Sequence, residues 1–125
     1  MKTIVAGSRS LNEYKMTEEA IDDVLLMGFE ITEIVSGGAR GPDTFGEHYA
    51  KKNNIPIKIF PADWDKHGRA AGIIRNGEMA DYADALIAIY DGTSRGTIDM
   101  INKARHKGLL VFRASPGKPV KQFFD

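Results

Sequence analysis

Five short runs of apolar and β-branched residues recur along this chain, each followed by a polar or glycine-rich break and, after the first four, by a stretch with helical periodicity. No other feature limits the fold so tightly. The runs are Thr3 to Ala6, Ile31 to Val35, Ile55 to Phe60, Ala85 to Tyr90 and Leu109 to Phe112. Apart from Thr32-Glu33 in the second run and Lys58 in the third, they are apolar rather than alternating, which is the pattern of strands covered on both faces. Strands separated by helices call for parallel order and right-handed crossovers. The expected fold is therefore α/β: a single Rossmann-like, doubly wound domain over residues 1–125. Its five-stranded parallel sheet has order 3-2-1-4-5, with helices on both faces.

The intervening stretches support this. Tyr14, Ile21, Val24 and Leu25 share one helical face, and Gly28 stops the run. Ser10 and Glu13 have capping-box spacing ahead of it. Pro42 and Asp43 open a second helix, with Phe45 and Tyr49 one turn apart and expected to stack. A third helix is expected from about Ala71 to Tyr82. A fourth carries Ile98, Ile101 and Ala104 and ends at Gly108. The segment from Pro116 onward reads as a tail.

In such a fold all β-to-α loops lie on the sheet edge formed by the carboxyl ends of the strands, where ligands bind near the reversal of strand order. The unusual residues collect in those loops. They are Gly7-Ser8-Arg9-Ser10, Ser36-Gly37-Gly38-Ala39-Arg40-Gly41-Pro42-Asp43, Pro61 to Arg69 with Trp64, and Asp91-Gly92-Thr93-Ser94-Arg95-Gly96-Thr97. Arg9, Arg40, Arg69 and Arg95 sit there, and Arg75 and Asn76 follow on the third helix. Glycine-rich turns let backbone N–H groups approach an oxyanion, and the helix behind presents its positive end. Arginine adds a planar fork suited to phosphate. The hydroxyls of Ser36, Ser94 and Thr97 are further donors.

The candidate ligand-binding residues are thus Gly7, Ser8, Arg9, Ser36, Gly37, Gly38, Arg40, Gly41, Asp43, Trp64, Arg75, Asn76, Asp91, Gly92, Ser94, Arg95, Gly96 and Thr97. The chain carries 17 basic and 17 acidic residues and no cysteine. Zero net charge argues against non-specific nucleic-acid binding. The lack of cysteine excludes disulfides and thiolate chemistry. His48, His67 and His106 are scattered, so no metal site and no cofactor are expected. No apolar run approaches a membrane span of about 20 residues, and the expected location is the cytoplasm.

Taken in order, Gly7-Ser8-Arg9, Ser36 to Asp43, Pro61-Ala62-Asp63-Trp64, Ala71 to Met79 and Ser94 to Thr97 resemble the YspA/YpsA-related branch of the SLOG superfamily, over about Ile4 to Val111. The resemblance implies a Rossmann-like fold that binds nucleotides or nucleotide-derived signals, of ADP-ribose type or cyclic, as a sensor or sequestering protein. It also implies a place in bacterial or phage conflict and defence systems, and a homo-oligomer. The same superfamily includes phosphoribohydrolases, with a PGGxGTxxE loop and an Arg-Lys pair, and the DNA-processing protein DprA. Here Arg75 matches the arginine and Asn76 replaces the lysine. Gly96-Thr97 matches the GT, and Met100 stands where the catalytic glutamate would be. Asp99, one residue earlier, points about 100° away on a helix. The resemblance thus implies a binding site without the hydrolase's carboxylate. Two alternatives remain open at this point. One is an N-glycosidase using Asp99, Asp43 or Asp91. The other is single-stranded DNA binding, which the balanced charge disfavours.

Overall fold

The computed structural model describes residues 1–123. Six strands and five α-helices alternate: β1 (Lys2–Gly7), α1 (Tyr14–Leu26), β2 (Glu33–Ser36), α2 (Pro42–Lys52), β3 (Ile57–Ile59), α3 (Trp64–His67), α4 (Ala71–Tyr82), β4 (Ala85–Ile89), α5 (Arg95–His106), β5 (Leu110–Ser115) and β6 (Lys118–Phe123). A single 3-10 turn, Gly68–Ala70, joins α3 to α4. The sheet order is β3-β2-β1-β4-β5-β6. The first five strands are parallel, so the doubly wound arrangement and the 3-2-1-4-5 order hold.

The sheet has six strands, not five. The supposed tail from Pro116 turns back and pairs antiparallel with β5, with Ser115 opposite Lys118. Pro116-Gly117 forms the two-residue turn, Gly117 at φ +71°, which is the combination a tight turn with proline at its second position requires. Val120 is then buried in the core beneath α1, while Lys121 faces out. The alternation was short and the lysines masked it.

Each face of the sheet carries its own core. On one side Val5, Ile34, Ile87, Ile89 and Phe112 pack under Ile21 and Val24 of α1 and Tyr49 and Ala50 of α2. On the other, Ile4, Val35, Leu86 and Val111 pack under Met79 and Ala80 of α4 and Met100 and Ala104 of α5. Every residue of β4 is buried, as a strand at the middle of a two-sided sheet must be. The edge strand β3 is largely exposed, and Lys58 points outward from it.

Two local expectations are corrected. The Ser10–Glu13 capping box does not form: α1 starts at Tyr14 with Glu13 as an N-cap that makes no side-chain bond. The Ser10 hydroxyl instead donates to the Asp91 carboxylate at 2.7 Å, a charged and therefore stronger acceptor. Phe45 and Tyr49 each find another partner: Phe45 meets the Tyr14 ring edge-on with centroids 5.9 Å apart, and the Tyr49 hydroxyl donates to Asp22 at 2.6 Å.

Helix α2 lies close on β1 because Gly46 has no side chain. A Cβ there would stand 2.8 Å from the Val5 Cβ and 2.9 Å from its Cγ1. Neither atom is the free end of a flexible chain. Gly46→Ala should therefore destabilise the protein by about 1–3 kcal/mol, as overpacking does, even though alanine favours helix. Urea denaturation at neutral pH checks this, and an unchanged or raised midpoint would contradict it.

Candidate functional site

At the carboxyl edge of the sheet, where the chain leaves β1 for one side and β4 for the other, the loops enclose a cleft of about 520 Å³. That volume lies within the range of small-molecule sites. Its floor is Ala6, Gly7 and the buried side chains of Met79 and Met100. Its walls come from the loops after β1, β2, β3 and β4 and from the first turns of α4 and α5.

Steric necessity shapes the floor. A Cβ on Gly7 would fall 2.2 Å from the Ile89 carbonyl oxygen and 2.8 Å from the Pro42 Cγ. Only glycine lets β1 run this close beneath the start of α2. Beside it the Ser8 N–H donates to the Ile89 carbonyl, and the Ser8 hydroxyl accepts the Asp91 N–H at 3.2 Å. These bonds hold the ends of β1 and β4 together.

Asp43 is the buried charge of the site, only 4% exposed at the start of α2. Burial pushes its carboxyl up to about 6 from an ordinary 3.8, against the opposing pull of the Arg75 guanidinium and of backbone N–H groups at Ala39, Gly37 and Gly7. Arg75 reaches across from α4 and donates to the Gly37 carbonyl at 2.6 Å. Its Nε donates to the Asn76 side-chain oxygen at 3.2 Å. Asn76 in turn donates to the Gly96 carbonyl at 3.3 Å and to Asp99 at 3.0 Å. A Cβ on Gly37 would lie 2.4 Å from the Arg75 Nη1, so that glycine makes room for the guanidinium.

Asp91 organises the loop before α5. Its carboxylate accepts from the Ser10 hydroxyl and from the Thr93 and Ser94 N–H groups at 2.8 and 3.0 Å. The Ser10 bond first, and these N–H groups after it, hold its pKa well below the usual carboxylate range. Ser94 caps α5, accepting from the Thr97 N–H and hydroxyl at 3.4 and 3.1 Å.

Of the candidate residues, Gly7, Arg9, Asp43, Trp64, Arg75, Asn76, Asp91, Ser94, Gly96 and Thr97 line the cleft. The others lie outside its lining. Ser8 is tied to Asp91 as above. Ser36 is fully buried, donates to Glu47 at 2.7 Å and accepts the Gly38 N–H at 3.0 Å, so it props the glycine loop from behind. Gly37 backs Arg75. Gly38, Gly41 and Gly92 take positive φ angles of 74°, 82° and 96° and shape the turns. Arg40 and Arg95 are exposed and are not among the residues that line the enclosed volume. The cleft gains Ser10, Arg69, Ile73, Met79 and Met100, which the sequence reading left out of the site. Arg69 stood among the loop arginines. The two methionines are core on one side and cleft floor on the other.

Met100 is 1% exposed and occupies the floor. Asp99 faces away, into the outer groove between α4 and α5, and receives Lys103 at 2.7 and 2.8 Å. Among the described residues no group of three or more His, Asp or Glu side chains is placed to hold a metal ion, and no helix is long and apolar enough to cross a membrane.

Three comparisons bear on this geometry. The profile of the YspA, cpYpsA-related SLOG family matches residues 1–67. The Gene 61 protein of Mycobacterium phage D29 is 31% identical over 116 residues, covering 88% of this chain and 93% of that protein. The X-ray structure of DNA processing protein A (DprA) from Streptococcus pneumoniae is similar in fold, with a TM-score of 0.72 and 21% identity. That match covers 94% of this chain and 50% of the other, so this chain spans half the length of that relative.

The raised pKa of Asp43 makes stability depend on pH. Folding lifts this acid's pKa from 3.8 to about 6, so the native state holds the proton more tightly than the unfolded chain. The penalty for burying the charge is absent below about pH 4 and fully present above about pH 6. Relative to Asp43→Asn, the parent protein should lose stability as pH rises through that window, by at most about 1.4 kcal/mol per pH unit. Urea melts of both proteins from pH 4 to 7 read the difference directly. A flat difference would show that the carboxyl is not strained by burial.

Proposed function

The chain belongs to the YspA, cpYpsA-related SLOG family, and on that footing we propose that it binds a nucleotide-derived, phosphate-bearing small molecule in the cleft over β1 and β4. One observation carries the reading. Arg9 and Arg69 line the cleft, and neither guanidinium has a hydrogen-bond or ion-pair partner among the described residues. Two exposed cations without a protein partner, lining one concavity in a protein of zero net charge, suit an anion from outside. The first turn of α5 adds the Gly96 N–H, which lacks an intrahelical acceptor, with the Ser94 and Thr97 side chains beside it at the cleft wall. The role is that of a sensor or sequestering protein for a signal of ADP-ribose or cyclic-nucleotide type.

Binding without turnover is the expected behaviour. Asp43 and Asp91 are the carboxylates of the cleft lining. Asp91 is saturated by loop donors, and Met100, a thioether, occupies the position from which a carboxylate would stabilise an oxocarbenium-like state. A second reading, hydrolysis of a nucleotide N-glycosidic bond, draws on one feature. Asp43 borders the cleft with a pKa of about 6, in the range useful to a proton donor.

Calorimetry with AMP, ADP, ADP-ribose and cyclic nucleotides tests the proposal. Arg9→Ala and Arg69→Ala should each weaken the ligand that binds by about tenfold or more, the usual loss for a charge-assisted bond. Binding should also weaken as salt rises. Unaltered affinity in both variants would remove the anion site. Chromatography of the same mixtures should show no released base. Base release abolished by Asp43→Asn would establish the second reading instead.

A further inference from the structure

The segment that carries Trp64 makes almost no contribution to the core. No residue of α3 or of the following 3-10 turn is buried. Its order comes from local devices. The Asp63 carboxylate accepts the Lys66 N–H at 3.1 Å, and Gly68 turns the chain at φ +55°. Yet it holds the largest apolar side chain in the protein, and the chain has one tryptophan. That ring is 56% exposed and faces the cleft, lying 3.7 Å from where a Cβ on Gly72 would be. Ile73, 55% exposed, stands next to it on the cleft wall. Two large apolar side chains left this open at the mouth of a cleft are poorly explained as packing.

The cleft is consequently two-ended. One wall holds Arg9, Ser10 and Ser94 with the start of α5 and suits phosphate. The other holds Trp64, Arg69, Gly72 and Ile73. Gly72 keeps the wall flat beside the indole, and Arg69, already assigned to the anion, is the one polar side chain on it. A flat ring with an apolar face and a polar edge fits there. With Arg69 engaged by the phosphate, no other polar side chain among these residues is left to read the hydrogen-bond pattern of its edge.

We propose that Trp64 and Ile73 form a base-stacking wall, so that the cleft takes nucleotides by the aromatic surface of their base, purines ahead of pyrimidines, with little discrimination between adenine and guanine. The proposal rests on the nucleotide reading above and adds which end of the ligand goes where. Stacking on an aromatic side chain tolerates any base because every base has a π-face. The larger purine simply covers more of the wall.

The single tryptophan supplies the readout. ADP, GDP, CDP and ribose 5-phosphate are titrated while intrinsic fluorescence and calorimetry are recorded in parallel. ADP and GDP should bind with affinities within a few-fold of each other and change the Trp64 emission. CDP should bind more weakly. Ribose 5-phosphate, which has phosphate and no base, should bind weakly by calorimetry and leave the emission unchanged. Trp64→Ala should weaken ADP by about tenfold to a hundredfold and ribose 5-phosphate hardly at all, while Trp64→Phe keeps most of the affinity. The segment buries nothing, so both variants should fold, as circular dichroism would check. ADP binding that leaves the emission unchanged, or that is as tight in Trp64→Ala as in the parent, overturns the stacking wall and leaves the phosphate site standing. Emission that responds to a short oligothymidylate and to none of the mononucleotides overturns it in favour of a single-stranded nucleic acid. If nothing binds by either method, the nucleotide reading and this inference fall together.

Discussion

The Arg75 guanidinium, resting on the Gly37 carbonyl beside the buried Asp43 carboxyl, joins parts of the molecule that have no other reason to meet. Arg75 belongs to α4, on one face of the sheet, while Gly37 and Asp43 belong to the loop and helix that follow β2 and serve the other. The contact therefore bridges the sheet over its carboxyl edge. A lone aspartate this deeply buried would be costly, and a lone arginine in the same place equally so. Set near each other, with Arg75 bonded to the Gly37 carbonyl and Asp43 supplied with loop N–H groups, they fix the spacing between the glycine loop and α4. The opening of the cleft follows from that spacing. Through Asn76 the same tie extends to the Gly96 carbonyl and to Asp99, so the start of α5 is placed by reference to the same point.

Most of the fold was legible because the central strands β1 and β4 are nearly continuous apolar runs and each break contains a glycine or proline. β4 could hardly be read otherwise, since Ala85 to Ile89 contains no polar residue. β6 was not legible in that way. Lys118, Pro119 and Lys121 dominate its composition, and one buried valine does not make a period. The Pro116-Gly117 pair was the available signal, and it marks a turn only once β5 is known to end just before it. α1 was placed correctly, but its cap was misjudged. The competitor for Ser10, Asp91, lies 81 positions away in sequence, beyond what a local rule can see.

The site was legible as a set of loops, less so as a set of contacts. Motif reading collects every unusual residue in a loop, but a loop has an inner and an outer surface. Ser36 and Gly37 serve as scaffolding, Arg40 and Arg95 are exposed outside the cleft lining, and Arg9 and Trp64 line the cleft. The alternation of side-chain direction along an irregular loop has no fixed period, so no spacing argument separates these roles. Met79 and Met100 show the converse. A helix places them on a predictable buried face, and the cleft happens to open directly above that face.

Residues 64–70 touch the molecule without supporting it. Because the sheet and both cores are complete without them, this stretch can change in length or composition at small thermodynamic risk, which is the condition for rapid divergence. A lineage could keep the floor of Ala6, Gly7, Met79 and Met100 intact and change the side chains of the wall that carries Trp64 and Arg69, altering what the cleft admits in a few substitutions. The architecture thus separates what must be inherited from what is free to vary, and it locates that freedom in about seven consecutive positions.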